Sequence, residues 1–257
     1  MKVIVNADDY GMNENVSAAI VESFKRGYIN QTTLIVNMPW AARAVELAKK
    51  EGLFDKIGLH LNLTTGKPLT PRIARCPLFC NASGEFDKRF AQLGNLYCSY
   101  SEEIKSLISE EVESQIKQYC DFGLPLRHLD SHHHVHHRLP LARHIMPIMA
   151  RYGFKSIRMP YSIGFTGVKA FARKIRNGVF VCLAKRYGLT TSGEFGSAEA
   201  FETDPFAIRG KTSVELMVHP YYDQEGKLIN IVRYDDLEGP LMAETNRLIK
   251  EAVCRIA

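Results

Sequence analysis

The sequence predicts a parallel α/β protein, built either as a barrel or as an open sheet, and three observations indicate this. Short β-branched runs alternate with segments of helical period along the chain. The length of 257 residues suits one large domain of this class. Polar residues recur where predicted strands end, which is where such proteins place their functional groups.

The first strand and helix follow directly from the N-terminal pattern. The run KVIVNA (Lys2–Ala7) is short and β-branched, as expected of a strand buried in a parallel sheet. The next segment places Val16, Ile20 and Phe24 on one helical face, and Gly27 is the predicted stop. This strand–helix pair begins a pattern that the rest of the chain repeats.

The alternation continues to the middle of the chain. We predict a strand at Thr32–Asn37, a helix over about 40–50 and a strand at Lys56–Thr65. Segment 66–100 contains several Pro, Gly and Asn residues without a clean period, which predicts a loop-rich insertion.

Ser101 is the predicted cap of a helix that runs to about Cys120, with glutamates in its first turn. The remaining predicted elements are a strand beginning at RHLDSH, a helix from Pro140 to Tyr152, a strand at Lys155–Pro160, a helix from Lys169 to Tyr187 interrupted near Asn177 and Gly178, a strand near Leu189–Ser192, a strand at Val214–Pro220 and a terminal helix through LMAETNRLIKEAV. The sequence contains no long linker and no repeat, so we expect one catalytic domain over 1–257 that includes the insertion at about 66–100.

Composition argues against several classes of function. The formal net charge of +5 and the pI near 8.8 are mildly basic and the cations are dispersed, which argues against a nucleic-acid partner. No stretch approaches the roughly 20 apolar residues of a membrane span, and the N-terminal apolar run is too short for a signal peptide. The six cysteines are scattered. We expect a cytoplasmic protein with reduced thiols and no membrane partner.

One predicted helix leaves two interpretations open. In 169–187, six basic residues accompany Phe171, Ile175, Phe180 and Leu183. This pattern fits a barrel helix with a basic outer face, which we favour, and it also fits a helix that lies on a membrane surface.

Adjacent carboxylates end the first predicted strand. Asp8 and Asp9 raise each other's pKa, unless one caps the following helix or a cation binds. A bound cation would take one carboxylate as a ligand and leave the other as a base. In GLHLNLT, His60 alone would be read as a core residue, but Asn62 lies on the same side because strand side chains alternate. A plain core would avoid that polar pair.

The densest polar stretch is RHLDSHHHVHHR, residues 127–138, which contains six of the nine histidines. If the strand continues through the stretch, one face carries His128, Asp130, His132, His134 and His136, and the other carries His133 and His137. Only the first of these reach the edge of the sheet before the next helix, so His132 is the best candidate ligand, with Asp130 in support. His134 is a candidate pocket residue. The alternative is a soft chelating tract, although such tracts usually lie at a terminus.

Two further polar residues follow later strands. His219 precedes Pro220 and is either structural or a general acid. Arg158, in IRMP, would either contact an anionic or hydroxyl-rich part of a substrate or form a surface salt bridge. Since the carboxyl ends of parallel strands meet at one rim, all these residues are expected to lie together. Two imidazoles and one carboxylate leave open positions for water and substrate, as in hydrolytic zinc sites.

Four motifs in order, NADDYG, GLHLNLT, HLDSHHHVH and the late VHP strand, resemble those of the YdjC family of carbohydrate deacetylases, which includes the chitooligosaccharide deacetylases. The resemblance implies a distorted TIM-like barrel with fewer than eight complete strand–helix units. It also implies metal-dependent removal of acetyl groups from N-acetylated sugars. By motif, the metal ligands would be Asp9, His60 and His132, the catalytic base Asp8 and the acid His219. Segment 70–100 matches no family feature, so the resemblance does not identify the sugar.

The expected chemistry is metal-assisted hydrolysis. Asp8 takes a proton from a water whose pKa the bound ion lowers toward about 7, the water attacks the acetamide carbonyl, and His219 protonates the departing amine. Backbone N–H groups help to stabilise the oxyanion. Two imidazoles favour zinc, manganese or cobalt, and magnesium could occupy the site when supplied in excess.

Two other functions remain open on sequence alone. A phosphoesterase-like hydrolase with one metal could use the same ligands on a similar barrel. A non-enzymatic, His-rich metal-binding protein would hold several ions weakly in 127–138 and would not depend on Asp8. One tightly bound ion per chain would favour the deacetylase, whose partner is an N-acetylated sugar. A homodimer is compatible with all three functions.

Overall fold

Eight parallel strands form one curled sheet at the centre of the protein, of which a computed structural model describes residues 1–92, 100–164, 167–203, 208–231 and 237–256. The strands are β1 (Lys2–Tyr10), β2 (Gln31–Leu34), β3 (Ile57–Leu61), β4 (His128–Ser131), β5 (Ser156–Ile157), β6 (Thr190–Thr191), β7 (Glu194–Ser197) and β8 (Ser213–Val218). They are hydrogen-bonded in the order β6-β5-β4-β3-β2-β1-β8-β7. Their carboxyl ends therefore lie on one side of the sheet, as the alternating sequence predicts.

Helices connect most of the strands. They are α1 (Glu14–Lys25), α2 (Ala41–Lys50), α3 (Pro71–Ala74), α4 (Arg89–Gln92), α5 (Glu102–Asp121), α6 (Leu139–Arg151), α7 (Gly167–Arg186), α8 (Ala198–Thr203) and α9 (Met242–Ile256), with short 3-10 segments at Phe54–Lys56 and His132–His137. After β8, an antiparallel hairpin pairs β9 (Pro220–Tyr222) with β10 (Leu228–Asn230). Among the described residues, no helix combines the length and the apolar character that crossing a bilayer requires.

The two edges of the sheet are joined by a very short connection. β6, at one edge, runs into β7, at the other, through Ser192 and Gly193 without an intervening helix. Gly193 has a φ of +92°, and a Cβ there would lie 2.4 Å from the carbonyl oxygen of Ser213, so only glycine fits this passage. The predicted distorted TIM-like barrel with fewer than eight complete strand–helix units is confirmed.

The strand boundaries differ from the prediction at functionally important places. β1 continues past the predicted end at Ala7, so that both aspartates belong to it. β3 ends at Leu61 because the side chain of Asn62 turns the chain, accepting hydrogen bonds from the N–H groups of Thr64 at 3.0 Å and Thr65 at 3.1 Å. The predicted continuation of this strand through Thr65 is therefore wrong.

The helices follow the predicted pattern with one correction. The predicted interruption of α7 near Asn177 and Gly178 is wrong, since the helix runs through both residues. Its buried Asn177 donates hydrogen bonds to the carbonyl oxygens of Pro160 and Tyr161, which ties the middle of the helix to the loop after β5. The sequence did not predict β7, α8 or the hairpin, because elements of three to six residues show too little periodicity.

Part of segment 66–100 is held against α5 by hydrogen bonds. Glu111, fully buried, accepts hydrogen bonds from the N–H groups of Leu69 and Thr70 at 3.0 and 2.9 Å and from the Thr70 hydroxyl at 2.8 Å. Phe79 and Phe90 pack together in the core, with ring centroids 4.5 Å apart. Residues 93–99, within the predicted insertion, lie outside the described part of the chain.

Candidate metal centre

An irregularity in β1 brings two neighbouring carboxylates to one place. In a regular strand, Asp8 and Asp9 would point to opposite faces. Asp9 instead has a φ of 69°, and the register of β1 against β2 shifts between Ala7 and Tyr10. Both carboxylates consequently have an oxygen within 4.8 Å of a ring nitrogen of His60, and both are buried.

Three of the predicted residues converge at this point. Asp9 Oδ1 lies 3.1 Å from His60 Nε2 and 2.7 Å from His132 Nδ1, and the three side chains are buried. They come from β1, from β3 and from the first residue after β4, so the carboxyl ends of three strands supply them. One carboxylate oxygen and two imidazole nitrogens are a donor set that divalent ions such as zinc accept.

A second carboxylate fixes the ring of His60. Asp130 Oδ1 lies 2.6 Å from His60 Nδ1, which donates to it, so Nε2 is the ring nitrogen that faces Asp9 and that would offer its lone pair to a bound ion. Burial alone would lower the pKa of His60, but Asp130 and Asp9 raise it to about 10 when no ion is bound. Burial likewise opposes ionisation of Asp9, yet His132 and His60 hold its pKa well below its usual range. A divalent cation could take the place of a proton among these atoms, and the residues fit one.

Arg158 forms a buried clamp behind the donors. Its side chain is 0% exposed, so the predicted surface salt bridge is wrong. The guanidinium donates to both oxygens of Asp8 at 2.7 Å, contacts Asp130 Oδ2 at 2.5 Å and donates to Glu215 Oε1 at 2.5 Å. Arg158 is thus enclosed by three carboxylates, those of Asp8, Asp130 and Glu215, behind the donors.

The same clamp sets the ionisation of Asp8. Burial would raise the pKa of this carboxyl, but the Arg158 guanidinium brings it far below its usual range. Asp8 Oδ1 accepts a further hydrogen bond from Asn6 at 2.8 Å. Arg158 therefore favours the ionised form of Asp8.

The sequence analysis did not single out Glu215, which anchors Arg158 from β8. The signal was present, because a charged residue in the otherwise apolar run SVELMV must be paired when it is buried. Its second oxygen, Oε2, and the nearby Nε2 of His128 are buried without a hydrogen-bond partner within the described part of the chain. The ring of His128 is held through Nδ1, 2.9 Å from the Ser156 hydroxyl.

The histidine tract does not continue as a strand, so the predicted division into two faces is wrong. β4 ends at Ser131, and the 3-10 segment that follows contains two left-handed residues, His133 (φ 51°) and His134 (φ 52°). His134 and His137, predicted to lie on opposite faces, stack on each other with centroids 5.1 Å apart. His136, predicted to share a face with His134, turns instead to the Ser131 hydroxyl at 2.5 Å.

His134 lines the space beside the donors. Its Nε2 lies 3.0 Å from the Tyr161 hydroxyl, and burial lowers its pKa to about 3, so the ring is neutral. His133 is exposed and its Nδ1 lies 2.8 Å from the Thr64 hydroxyl. Of the six histidines in the tract, only His132 belongs to the donor cluster.

His219 and Asn62 occupy different kinds of position. His219 is 20% exposed, and its Nε2 lies 3.9 Å from Asp9 Oδ2, between the donors and solvent. Its backbone N–H donates to Asn230 Oδ1 of the hairpin at 2.7 Å. Asn62 is fully buried, and its amide donates to Asn37 Oδ1 and to the Thr65 carbonyl, so it shapes the loop after β3.

Comparison with known proteins gives consistent matches. The model of the family of YdjC-like proteins matches residues 2–251. A carbohydrate deacetylase of Halalkalibacterium halodurans is 32% identical over 234 residues, which cover 88% of this chain and 87% of that protein. A carbohydrate deacetylase of Brevibacillus brevis is 30% identical over 228 residues, covering 89% and 84%.

A solved structure shares the fold. It is a protein of Enterococcus faecalis V583 described as a candidate for cellobiose-phosphate cleavage, and it aligns with a TM-score of 0.68 over 99% of this chain and 94% of that chain. The sequences are 21% identical, so this likeness concerns the fold alone.

Proposed function

Because this chain belongs to the family of YdjC-like proteins, we propose that it is a carbohydrate deacetylase that hydrolyses the acetamide of an N-acetylated amino sugar or oligosaccharide, such as a chitooligosaccharide. Relatives that carry the name carbohydrate deacetylase are similar over most of their length. The observation that carries the proposal is the convergence of Asp9, His60 and His132 beside a second carboxylate, Asp8, which is not needed as a ligand.

The proposed centre binds one divalent ion through Asp9, His60 and His132. When bound, the ion would polarise the acetamide carbonyl and make the attacking water more acidic. Two nitrogen donors favour zinc, manganese or cobalt over magnesium, which would occupy the site only at high concentration.

Asp8 is the proposed base. Its Oδ2 receives one hydrogen bond, from Arg158, and so retains room to accept a proton or a hydrogen bond from water. Arg158 keeps this carboxyl ionised and fixes its orientation. Glu215 and Asp130 hold the same guanidinium, and the Asn6 amide also donates to both Asp8 and Asp130.

His219 is the proposed acid. The amine that leaves an acetamide must be protonated as it departs, and a histidine near the donors and open to solvent can supply that proton and be recharged from water. Its Nε2 lies 3.9 Å from Asp9 Oδ2 and its side chain is 20% exposed, whereas Arg158, which holds the proposed base, is fully buried.

Acetate release tests this function. The purified protein is stripped with a chelator and supplied in turn with zinc, manganese, cobalt and magnesium, with N-acetylated sugars of increasing length as substrates. We expect acetate from at least one sugar, abolished by the chelator and restored by metal at one ion per chain. Phosphate release from sugar phosphates in parallel, with no acetate from any sugar, would instead support a phosphoesterase and reject the proposal.

A further inference from the structure

Four large apolar side chains lie in solvent along one helix. In α7 the exposed fractions are 85% for Val168, 66% for Phe171, 57% for Ile175 and 43% for Val179. The spacing of three or four residues places the four on one face, which we call the outer stripe. The other large hydrophobic residues found exposed in the described chain, Met1, Leu237 and Leu241, are scattered.

The outer stripe lies opposite the surface by which α7 packs on the barrel. Asn177, Phe180 and Ala184 are buried and form the packed face. α7 therefore packs on the barrel, as the favoured interpretation expects, but its exposed surface carries the apolar stripe in addition to the basic residues Lys174, Lys185 and Arg186. Single exposed hydrophobic residues are common, but a contiguous row on one helix indicates a surface that is covered in use.

The charges of α7 indicate what covers the outer stripe. The helix sequence, GVKAFARKIRNGVFVCLAKR, contains six basic residues and no acidic residue. Lys174 and Lys185 are exposed beside the stripe. A second copy of the chain would bring two such helices together and set like charges side by side, whereas an anionic surface would attract them.

We propose that α7 docks the protein on an anionic lipid surface, with the outer stripe inserted among the acyl chains and Lys174 and Lys185 at the headgroups. An apolar face flanked by lysine and arginine is the composition that holds a helix in the plane of a bilayer interface. Lysines near such a surface add attraction to anionic lipids.

The packed face of α7 is linked to the neighbourhood of the donor cluster. Asn177 bonds the backbone of Pro160 and Tyr161, and the Tyr161 hydroxyl contacts His134 beside the donor cluster. The membrane-facing helix and the wall of the candidate site are thus joined through one short loop. This inference does not depend on the reaction catalysed.

Flotation of the full-length protein with vesicles tests the proposal. We compare phosphatidylcholine vesicles with and without phosphatidylglycerol, at low and raised salt. We expect binding only with the anionic lipid, and weaker binding at raised salt. Phe171→Glu with Ile175→Glu should lower the partition coefficient by more than about tenfold. Lys174→Gln with Lys185→Gln, which leaves the stripe intact, should lower it by about fivefold per lysine.

Leu241→Glu is the matched control, because Leu241 is also exposed, at 47%, but lies outside α7. It should bind vesicles as the wild type does, and thermal melts should show all the variants folded. Wild-type protein that fails to bind the anionic vesicles, or a stripe variant that binds as well as wild type, would overturn the proposal. A dimer that the stripe variant dissociates, without vesicle binding, would assign the surface to a second copy and overturn it equally.

Discussion

Replacing Asp130 by Asn tests the residue that supports the proposed metal ligands without removing any of those ligands. Asp130 accepts from His60 Nδ1 at 2.6 Å and contacts Arg158 at 2.5 Å and the Thr33 hydroxyl at 3.0 Å, so one carboxylate fixes both the ring of a ligand and the clamp on Asp8. Asn has the same shape but no charge. An amide nitrogen facing Nδ1 would also demand the other tautomer and place a proton on the ligating Nε2.

The expected loss is in ion affinity. Outer carboxylates that orient a metal-binding histidine are typically worth about tenfold to a hundredfold, or about 1.4 to 2.8 kcal/mol. We would measure the dissociation constant by competition with a chromophoric chelator and acetate release at limiting and saturating metal. At limiting metal, Asp130→Asn should release acetate slowly, and saturating metal should restore part of this activity. The part that saturating metal does not restore reflects the looser hold of Arg158 on Asp8.

Glu111→Gln is the matched control, because Glu111 is an equally buried carboxylate whose hydrogen bonds go to Leu69, Thr70 and Gln115. It should lose stability without changing ion affinity. If Asp130→Asn bound the ion as tightly as wild type, or if both variants lost affinity alike, Asp130 would not orient His60 as described.

Three further predictions concern the acid, the base and the neutral histidines. Asp8→Asn should bind the ion as the wild type does in the same competition assay, and its acetate release should fall by about a hundredfold or more. Full turnover would refute the assignment of Asp8 as the base. His219→Gln should lower kcat by about 10²- to 10⁴-fold with ion affinity nearly unchanged, and a loss of the ion instead would make His219 a ligand. Burial holds the pKa of His136 and His137 well below 6.5, so below pH 6.5 the unfolded chain binds protons that the folded one does not. Stability should therefore fall on acidification by up to about 1.4 kcal/mol per pH unit for each histidine, and thermal melts of His137→Phe should show a shallower slope, whereas an unchanged slope would contradict the assignment.

The sequence allowed the position of the site to be predicted because that position follows from topology. Asp9, His60 and His132 stand at the ends of strands that are recognisable from local patterns, and parallel strands end on one side of the sheet. Their convergence needed no knowledge of tertiary contacts. These three side chains form one of three buried groups of potential metal ligands among the described residues, the others being Asp8, His60 and Asp130, and His128, Asp130 and Glu215.

Arg158 could not be placed in the same way, because its partners are distant in sequence. Asp8 lies 150 residues away and Glu215 lies 57 residues away, on two other strands. Whether an arginine after a short strand is exposed or enclosed depends on which side chains the neighbouring strands send toward it. Such long-range contacts produce no periodic pattern in the sequence around Arg158.

The predictions for the histidine tract and for the exposed face of α7 differ from the structure for different reasons. Strand alternation holds only while the backbone is extended, and the left-handed residues His133 and His134 rotate the rings that follow. For α7 the helical period was sufficient to predict a helix. Which of its faces meets the barrel is decided by partners such as Pro160 and Tyr161, so the exposed stripe emerges only in the folded chain.

The left-handed backbone at Asp9 limits how this protein could acquire a different metal preference. Aspartate and asparagine adopt that conformation more readily than most residues, and for others it costs about 1 to 2 kcal/mol. A thiolate ligand, which selects softer ions, would at this position meet the strain of the backbone as well as the change in donor. His60 and His132 lie outside the left-handed region. Replacing a proposed ligand to favour a different ion would therefore meet less backbone strain at the two histidine positions than at Asp9.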